Sequence, residues 1–245
     1  MSNKPEIVFP QGWQGEHNAD LGKTTQRLSK SKSYQDQRAI CLTPTPNGYL
    51  HTKVVHSMRS IMVPMNQGLL PLYLNNMEVG EAYSNAIEMI INSSELSKIP
   101  YILTWEHDNL APPDGLLKLL ENMDTFDIIG GLYFTKGEGG MPMCYGRVDE
   151  YPVNFKPFMP IGENVVPCRG VAMGFTLFKT SIFKDPALPR PFFKTLQEYD
   201  PVKGGSAYTQ DLYFSENAGR LGYKMGIDPR VKVGHMMMDG SDFVW

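Results

Sequence analysis

Hydrophobic residues in the first half of the chain alternate between short continuous runs and longer segments with helical spacing. The continuous runs predict buried strands, and they are AICLTP (residues 39–44), LLPLYLNN (69–76) and PYILTWEHD (100–108). The spaced segments predict helices, and they are HTKVVHSMRSIMVPM (51–65), GEAYSNAIEMIINSSEL (80–96) and PPDGLLKLLENM (112–123). This alternation indicates βαβ units and a parallel sheet with right-handed crossovers. Pro71 favours an edge position, or a strand start, for the second run.

The second half of the chain is more mixed, because several predicted strands follow one another there with turns between them. These strands are DIIGGLYFTK (127–136), PMCYGRV (142–148), VVPCRGVAMGFTLFKTSIF (165–183) and KMGIDPRVKVGHM (224–236). One helix, SAYTQDLYFSENAGRLG (206–222), interrupts them. The pattern predicts an α/β, Rossmann-like fold with a mostly parallel central sheet flanked by helices and a mixed C-terminal half. Residues 1–38 are polar and are expected to form an N-terminal arm, and residues 39–245 one domain.

Composition narrows the classes of function and the cellular location. The chain has 245 residues, 42% of them hydrophobic, and a net charge of −3, so no overall positive field favours binding to a nucleic acid backbone. The N-terminus lacks the apolar stretch of a signal peptide, and the apolar runs are too short for a transmembrane segment. Three widely spaced cysteines indicate neither a disulfide framework nor a zinc cluster. A reducing, cytoplasmic location is therefore expected.

Two carboxylates, Glu106 and Asp108, follow the third predicted strand. Alternate residues of a strand point to the same side, so these side chains converge if the strand continues that far. Two converging carboxylates repel each other unless a cation joins them, and oxygen ligands suit Mg²⁺ or Mn²⁺. Ligands of parallel sheets bind beyond the carboxyl ends of the strands, which favours a metal site here. The alternative is a solvated loop in which Asp108 caps a turn before Pro112.

The run YILTWEHDNLAPPDGLLKLLENM (101–123) resembles the strand, acidic motif and helix of GT-A glycosyltransferases, especially the family 2-like group. CRGVAMGFTLFKTSIF (168–183) resembles a glycine-containing strand of that group. QDLYFSENAGRLGYKMGIDPRVKVGHM (210–236) resembles its acidic helix and the strand that ends in Gly-His. The resemblance covers roughly residues 39–238, and the order and spacing of the motifs carry it.

The resemblance implies a role for each matching acidic residue and histidine. Glu106 and Asp108 would hold a divalent metal, Mn²⁺ or Mg²⁺, on the diphosphate of a sugar donor, with Glu in place of the usual first Asp. Asp211 matches the catalytic base of inverting members, although Gln210 replaces the preceding Glu. His235 matches a histidine that some members use as a further metal ligand. Each of these two residues also has a purely structural explanation. Asp211 would be an acidic residue that interacts favourably with the dipole at a helix N-terminus, and His235 would be a histidine at a strand end without a metal ligand role.

The resemblance also implies a set of donor-binding residues, which lie mainly at strand ends: Thr43, Pro44, Thr45, Asn76, Asn85, His107 and Gly170. His107 is the variable middle residue of the acidic motif, and no role is expected for its own side chain. Asn85 belongs to an Arg-Asn pair of the family, but Ser84 stands where the Arg would be. Turn formation explains the Thr-Pro and Asn-Asn sequences equally well, and close packing explains the glycine.

These observations predict a metal-dependent glycosyltransferase that moves a sugar from a UDP-sugar, or a GDP-sugar, to a hydroxyl acceptor by inversion. The expected acceptor is a saccharide, a protein or a modified nucleic acid base. A nucleotidyltransferase is a weaker alternative, because LTPTPNGYLH (42–51) lacks the glycine-rich, basic signature after the first strand. A non-catalytic domain that binds sugar nucleotides is the third hypothesis. The segment Thr135–Pro142 is expected to be either a lid over the site or a plain hairpin connection.

Overall fold

The computed structural model describes residues 36–137, 139–200, 204–237, 239–240 and 243–245. The predicted arm, residues 1–38, lies almost entirely outside these described residues. Within the described part of the chain, no helix is both long and apolar enough to cross a membrane.

Thirteen strands and four α-helices make up the regular structure of the described residues. The strands are β1 (Ala39–Thr45), β2 (Leu69–Asn75), β3 (Tyr101–Trp105), β4 (Asn109–Leu110), β5 (Ile128–Leu132), β6 (Cys144–Arg147), β7 (Val166–Val171), β8 (Phe175–Lys179), β9 (Leu196–Asp200), β10 (Gly204–Tyr208), β11 (Met225–Lys232), β12 (Gly234–Met236) and β13 (Phe243–Val244). The helices are α1 (Thr52–Ser60), α2 (Val79–Asn92), α3 (Gly115–Glu121) and α4 (Gln210–Arg220). Short 3₁₀ helices span Leu96–Lys98 and Thr180–Lys184.

An eight-stranded sheet with the order β2-β1-β3-β8-β5-β11-β7-β6 forms the centre of the molecule. β2, β1 and β3 pair in parallel, as do β5 and β11, whereas β8 is antiparallel to both β3 and β5. β7 runs opposite to β11 and to β6, so only β7 and β8 oppose the common direction of the other six strands. The predicted α/β fold, with a mostly parallel sheet and a mixed C-terminal half, is confirmed.

Apolar side chains cover both faces of this sheet, as expected when strands are buried on both sides. On one face, Ile40 and Leu42 of β1 belong to a core cluster with Tyr83 and Ile87 of α2 and Phe214 of α4. On the other face, the alternate residues of β1 and β3 belong to a second cluster with the leucines of α3. The helices therefore fix the sheet from both sides and leave the carboxyl ends of its strands to form a site.

Several predicted boundaries differ from the structure. β3 ends at Trp105, so Glu106 and Asp108 lie in a turn and not in the strand. Helix α4 begins at Gln210, because residues 204–208 form β10 and pair with β9. Helix α2 begins at Val79, where the carboxylate of Glu78 accepts a hydrogen bond from the backbone N–H of Glu81. Pro71 does lie in an edge strand, because β2 pairs only with β1 in this sheet.

Candidate functional site

The acidic motif is held by a tight turn at the end of β3. The backbone N–H of Glu106 donates to the carbonyl oxygen of Gly174 (3.1 Å), and the N–H of Asn109 donates to the carbonyl oxygen of Glu106 (3.2 Å). Glu106 and Asp108 therefore approach each other through the turn, whereas the sequence predicted convergence by strand alternation. Gly174 also donates its own N–H to the Tyr133 hydroxyl (2.8 Å), which ties β5 and β8 to the same point.

A small second sheet brings His235 to this turn. β12 lies between β4 and β13, with His235 opposite Asn109, and Met236 donates its N–H to the carbonyl oxygen of Asp108 (2.8 Å). His235 Nε2 lies 3.5 Å from Asp108 Oδ2. His235 Nδ1 lies 2.8 Å from the Phe134 carbonyl oxygen, which can only accept, so Nδ1 carries the proton. In the neutral ring, Nε2 then directs its lone pair towards the carboxylate.

Lys136 approaches the same carboxylate from the loop that follows β5. Its Nζ lies 2.6 Å from Asp108 Oδ2. The loop is closed at its base, because the N–H of Thr135 donates to the Met141 carbonyl oxygen and the N–H of Met141 donates to the Thr135 hydroxyl (2.9 Å each). The base of segment 135–142 is therefore a hairpin, Lys136 reaches the acidic turn, and a lid role for the segment stays a prediction.

Asp211 faces the acidic turn from the first turn of α4. The residue is buried, and its Oδ1 atom has no hydrogen-bond partner among the described residues. Burial raises the pKa of Asp211, and its hydrogen bonds with Thr209 and the backbone of the helix N-terminus only partly oppose the rise. A buried, unpaired carboxylate oxygen is costly, so its persistence points to a missing partner.

The three carboxylates influence one another electrostatically. Burial, together with the charges of Asp108 and Asp211, raises the pKa of Glu106 to about 8. Burial alone would raise the pKa of Asp108 too, but the hydrogen bonds and positive charge of Lys136, and of His235 when its ring is doubly protonated, outweigh it and hold that pKa well below its usual range. The cluster therefore combines one carboxylate whose pKa is lowered by its cationic neighbours with two whose pKa values are raised.

Asp108, Glu106 and His235 have donor atoms of the kinds that bind a divalent cation. Asp108 and Glu106 offer oxygen ligands, and the Nε2 lone pair of His235 faces the oxygen of Asp108 that such an ion would share. Across the residues that the structure describes, no three His, Cys, Asp or Glu side chains form a complete metal-binding group. Mg²⁺-type ions are commonly held by one or two carboxylates together with substrate phosphates, so a site completed by a diphosphate agrees with this arrangement.

The predicted donor-binding residues occupy different environments. Thr43, Pro44 and Thr45 are buried at the end of β1, where the Thr45 hydroxyl donates to the side-chain oxygen of Asn75. Asn76 follows with a positive φ of 58°, a conformation that asparagine tolerates well, so the turn explains this residue. Its N–H donates to the Thr45 carbonyl oxygen (3.3 Å), which joins the ends of β1 and β2.

The remaining predicted donor-binding residues have structural surroundings of their own. Asn85 is exposed on α2, and its amide contacts the sulfur of Met77 at 3.9 Å. His107 is partly exposed in the acidic turn. Gly170 lies in β7, where an added Cβ would meet Phe155 at 3.0 Å and Leu212 at 3.2 Å. Close packing of α4 on β7 therefore accounts for that glycine, and the donor contacts of all three residues stay predictions.

Sequence reasoning did not identify the contact of Lys136 with the acidic turn or the structural role of Ser84. Lys136 lies in a glycine-rich segment whose composition is typical of a surface loop. Ser84 is buried, and its hydroxyl donates to the Phe193 carbonyl oxygen (3.2 Å) and accepts the Phe193 N–H (3.0 Å). It anchors the segment that leads to β9 and Asp211. The one available signal in the sequence was that Ser84, a polar residue, occupies a position of α2 where the helical pattern predicts an apolar residue.

Comparison with known proteins identifies the fold. No protein-family model matches this chain, and no curated protein matches its sequence significantly. The chain is similar to the crystal structure of A197 from STIV, with a TM-score of 0.57, 14% identity and coverage of 82% of this chain and 86% of that one. It is also similar to GalNAc-T7 solved with UDP, GalNAc and Mn²⁺, with a TM-score of 0.53 and 11% identity. That match covers 97% of this chain and 55% of GalNAc-T7. The chain has a GT-A-like fold.

Proposed function

We propose that this protein is a metal-dependent glycosyltransferase. It would bind a nucleotide-sugar, a UDP-sugar in the first place and a GDP-sugar in the second, and transfer the sugar to an acceptor hydroxyl. The observation that carries the proposal is the convergence of Glu106, Asp108 and Asp211 with His235 in a GT-A-like fold. The GalNAc-T7 structure of similar fold contains UDP, GalNAc and Mn²⁺, which supports this choice of donor and metal.

Asp108, Glu106 and His235 would hold the metal ion, Mn²⁺ or Mg²⁺. When bound, the ion neutralises the charge that develops on the diphosphate leaving group. The residues Thr43, Pro44, Thr45 and Asn76 lie at or just after the ends of β1 and β2, where the nucleotide would rest. Oxygen ligands from a short turn, fixed by backbone hydrogen bonds to Gly174 and Met236, keep the carboxylates in place before the donor arrives.

Asp211 would act as the general base. Its unpaired Oδ1 atom is free to accept the proton of an acceptor hydroxyl as that oxygen attacks the sugar. Burial raises the pKa of Asp211, which makes the carboxylate a stronger base than an exposed aspartate. A base that acts directly on the incoming hydroxyl leads to inversion at the anomeric carbon.

Release of UDP or GDP from nucleotide-sugars in the presence of Mn²⁺ tests the proposal. Asp211→Asn should lower the rate about a hundredfold or more, while Mn²⁺-dependent UDP binding persists. Asp108→Asn should abolish both, and Glu95→Gln, which changes an exposed ion pair with Lys98, should change neither. A panel of saccharide, protein and nucleic acid acceptors then identifies the acceptor class.

The alternatives give different results in the same assay. Pyrophosphate release from a nucleoside triphosphate and a sugar phosphate would indicate a nucleotidyltransferase. Binding of UDP-sugars without turnover, whatever the acceptor, would indicate a non-catalytic domain.

The three cysteines are free and buried, which supports the proposed cytoplasmic location. The assignment of residues 39–245 to one domain stays a prediction.

A further inference from the structure

Lys136 supplies the positive charge that Asp108 would otherwise take from a metal ion. Its Nζ lies 2.6 Å from Oδ2, the same oxygen that lies 3.5 Å from His235 Nε2. The Lys136 side chain is 30% exposed, whereas that of Asp108 is 9% exposed. The ammonium group thus reaches a largely buried carboxylate from the solvent side, where a small cation or an incoming ligand would also enter.

The loop that carries Lys136 is anchored at its base. Backbone and hydroxyl hydrogen bonds join Thr135 to Met141, and Phe134 pairs with Pro142. Beyond this base, Gly137 and Gly139 have positive φ angles of 99° and 71°, and a Cβ at either position would meet nothing within 4 Å. Because the Lys136 side chain is long and 30% exposed, its ammonium group can change its partner without any movement of the loop base, which includes the Phe134 carbonyl that orients His235.

Charge balance requires such a change of partner when a donor binds. Lys136 and a divalent cation repel each other strongly if both contact one carboxylate oxygen. A nucleotide diphosphate brings negative charge to a site that already contains Glu106, Asp108 and Asp211. Each cation near the diphosphate should therefore strengthen its binding. An ammonium group that leaves Asp108 can pair with the diphosphate, which would lie at the same edge of the sheet.

We propose that Lys136 is a diphosphate-binding residue of the donor site. In the free protein it is the counter-ion of Asp108, and it moves to the diphosphate when a divalent cation takes the Asp108 oxygen. The inference rests on the proposed function and deepens it. Donor recognition would depend on a lysine that pairs with Asp108 in the free protein and with the diphosphate in the complex. It requires opposite effects of Lys136 on binding of the metal alone and on binding of the nucleotide with the metal.

Calorimetric titration of the full chain tests both effects without any need for turnover. Lys136→Met keeps the length of the side chain and removes its charge. Mn²⁺ alone should bind this variant about three- to tenfold more tightly, because the competing ammonium group is gone. UDP added at saturating Mn²⁺ should bind it about tenfold or more weakly, because a charged contact with the diphosphate is lost.

Two further variants control for charge and fold. Lys136→Arg retains a cation and should keep both affinities near those of the native protein. Lys98→Met removes an exposed charge that pairs with Glu95, and it should change neither affinity. Unchanged Mn²⁺ affinity in Lys136→Met, or parallel changes of the two affinities, would overturn the inference and leave the proposed function standing. If neither the native protein nor Lys136→Met binds Mn²⁺ or UDP, the proposed function fails as well.

Discussion

The Nε2 atom of His235 lies 3.5 Å from Oδ2 of Asp108, although the two residues belong to opposite halves of the chain. The pairing of β12 with β4 produces this contact, and the Phe134 carbonyl fixes the imidazole by accepting its Nδ1–H. A lone pair and a carboxylate oxygen that face each other need a proton or a metal ion between them. This relationship makes His235 the most direct probe of the proposed metal site.

Removal of the imidazole should weaken metal binding. His235→Ala is expected to lower the affinity for Mn²⁺ by at least about tenfold, because one proposed ligand is lost. Calorimetry or the electron paramagnetic resonance signal of free Mn²⁺ measures the change. His56→Ala is the matched control, since His56 is exposed on α1 and its loss should leave the affinity unchanged. Equal affinities in the native protein and His235→Ala would exclude His235 as a ligand.

Stability of the metal-free protein should depend on Glu106 and pH. The pKa of Glu106 is about 8 in the fold against an ordinary value of 4.5, so folding favours the protonated carboxyl. The stabilisation from this group is fully present below pH 4.5 and is lost as pH rises towards 8. Glu106→Gln removes the titration, so its free energy of unfolding should fall less over this range. Urea titrations in EDTA at several pH values measure the difference.

The same slope in both proteins would show that Glu106 does not titrate in this range. Comparison of the two proteins is needed because burial also raises the pKa of Asp211, which contributes to the slope of each. Added Mn²⁺ should reverse the trend in the native protein, since metal ligands must be deprotonated and the ion stabilises the fold more as pH rises.

Gly174 should resist substitution because of its contact with Tyr133. A Cβ at this position would lie 2.5 Å from Cζ of the Tyr133 ring, and the residue also holds the backbone of Glu106. Gly174→Ala should therefore destabilise the protein by about 1–3 kcal/mol and weaken Mn²⁺ binding. Gly68→Ala is the control, because an added Cβ there meets nothing within 4 Å. Similar melting temperatures of the two variants would contradict the expectation.

The double hydrogen bond of Ser84 should be worth more than an ordinary surface contact. Ser84→Ala leaves the buried N–H and carbonyl of Phe193 without their partner, at a cost of about 1–3 kcal/mol of stability. Ser60→Ala removes a part-buried hydrogen bond to the Ser57 carbonyl and should cost clearly less. Chemical denaturation measures both. A loss no greater in Ser84→Ala than in Ser60→Ala would show that the segment around Phe193 is anchored elsewhere.

Much of the fold was predictable because β1, β2 and β3 are long enough to show their hydrophobic pattern. Helical spacing indicated α1, α2 and α3, and Pro71 indicated an edge strand. The directions of β7 and β8 could not be predicted, because hydrophobicity does not encode the direction of a strand relative to its neighbours.

The site was less predictable, because short elements build it. β4 has two residues and β12 three, too few for a periodic pattern, yet their pairing brings His235 to Asp108. The turn at Glu106 depends on a hydrogen bond to Gly174, which is distant in sequence. Lys136 lies in a polar loop where a lysine usually meets only water. The roles assigned to Glu106, Asp108, Asp211 and His235 stay predictions until binding and activity are measured.

Pro71 has a consequence for how this protein behaves at high concentration. It lies within the outermost strand of the sheet, where Leu70 and Tyr73 are 40% and 50% exposed. Among the described residues, only β1 pairs with this strand, and an unpaired border with exposed apolar side chains can template the addition of a strand from another molecule. Proline has no amide hydrogen to offer such a strand, so Pro71 should make this border a poorer template and oppose self-association.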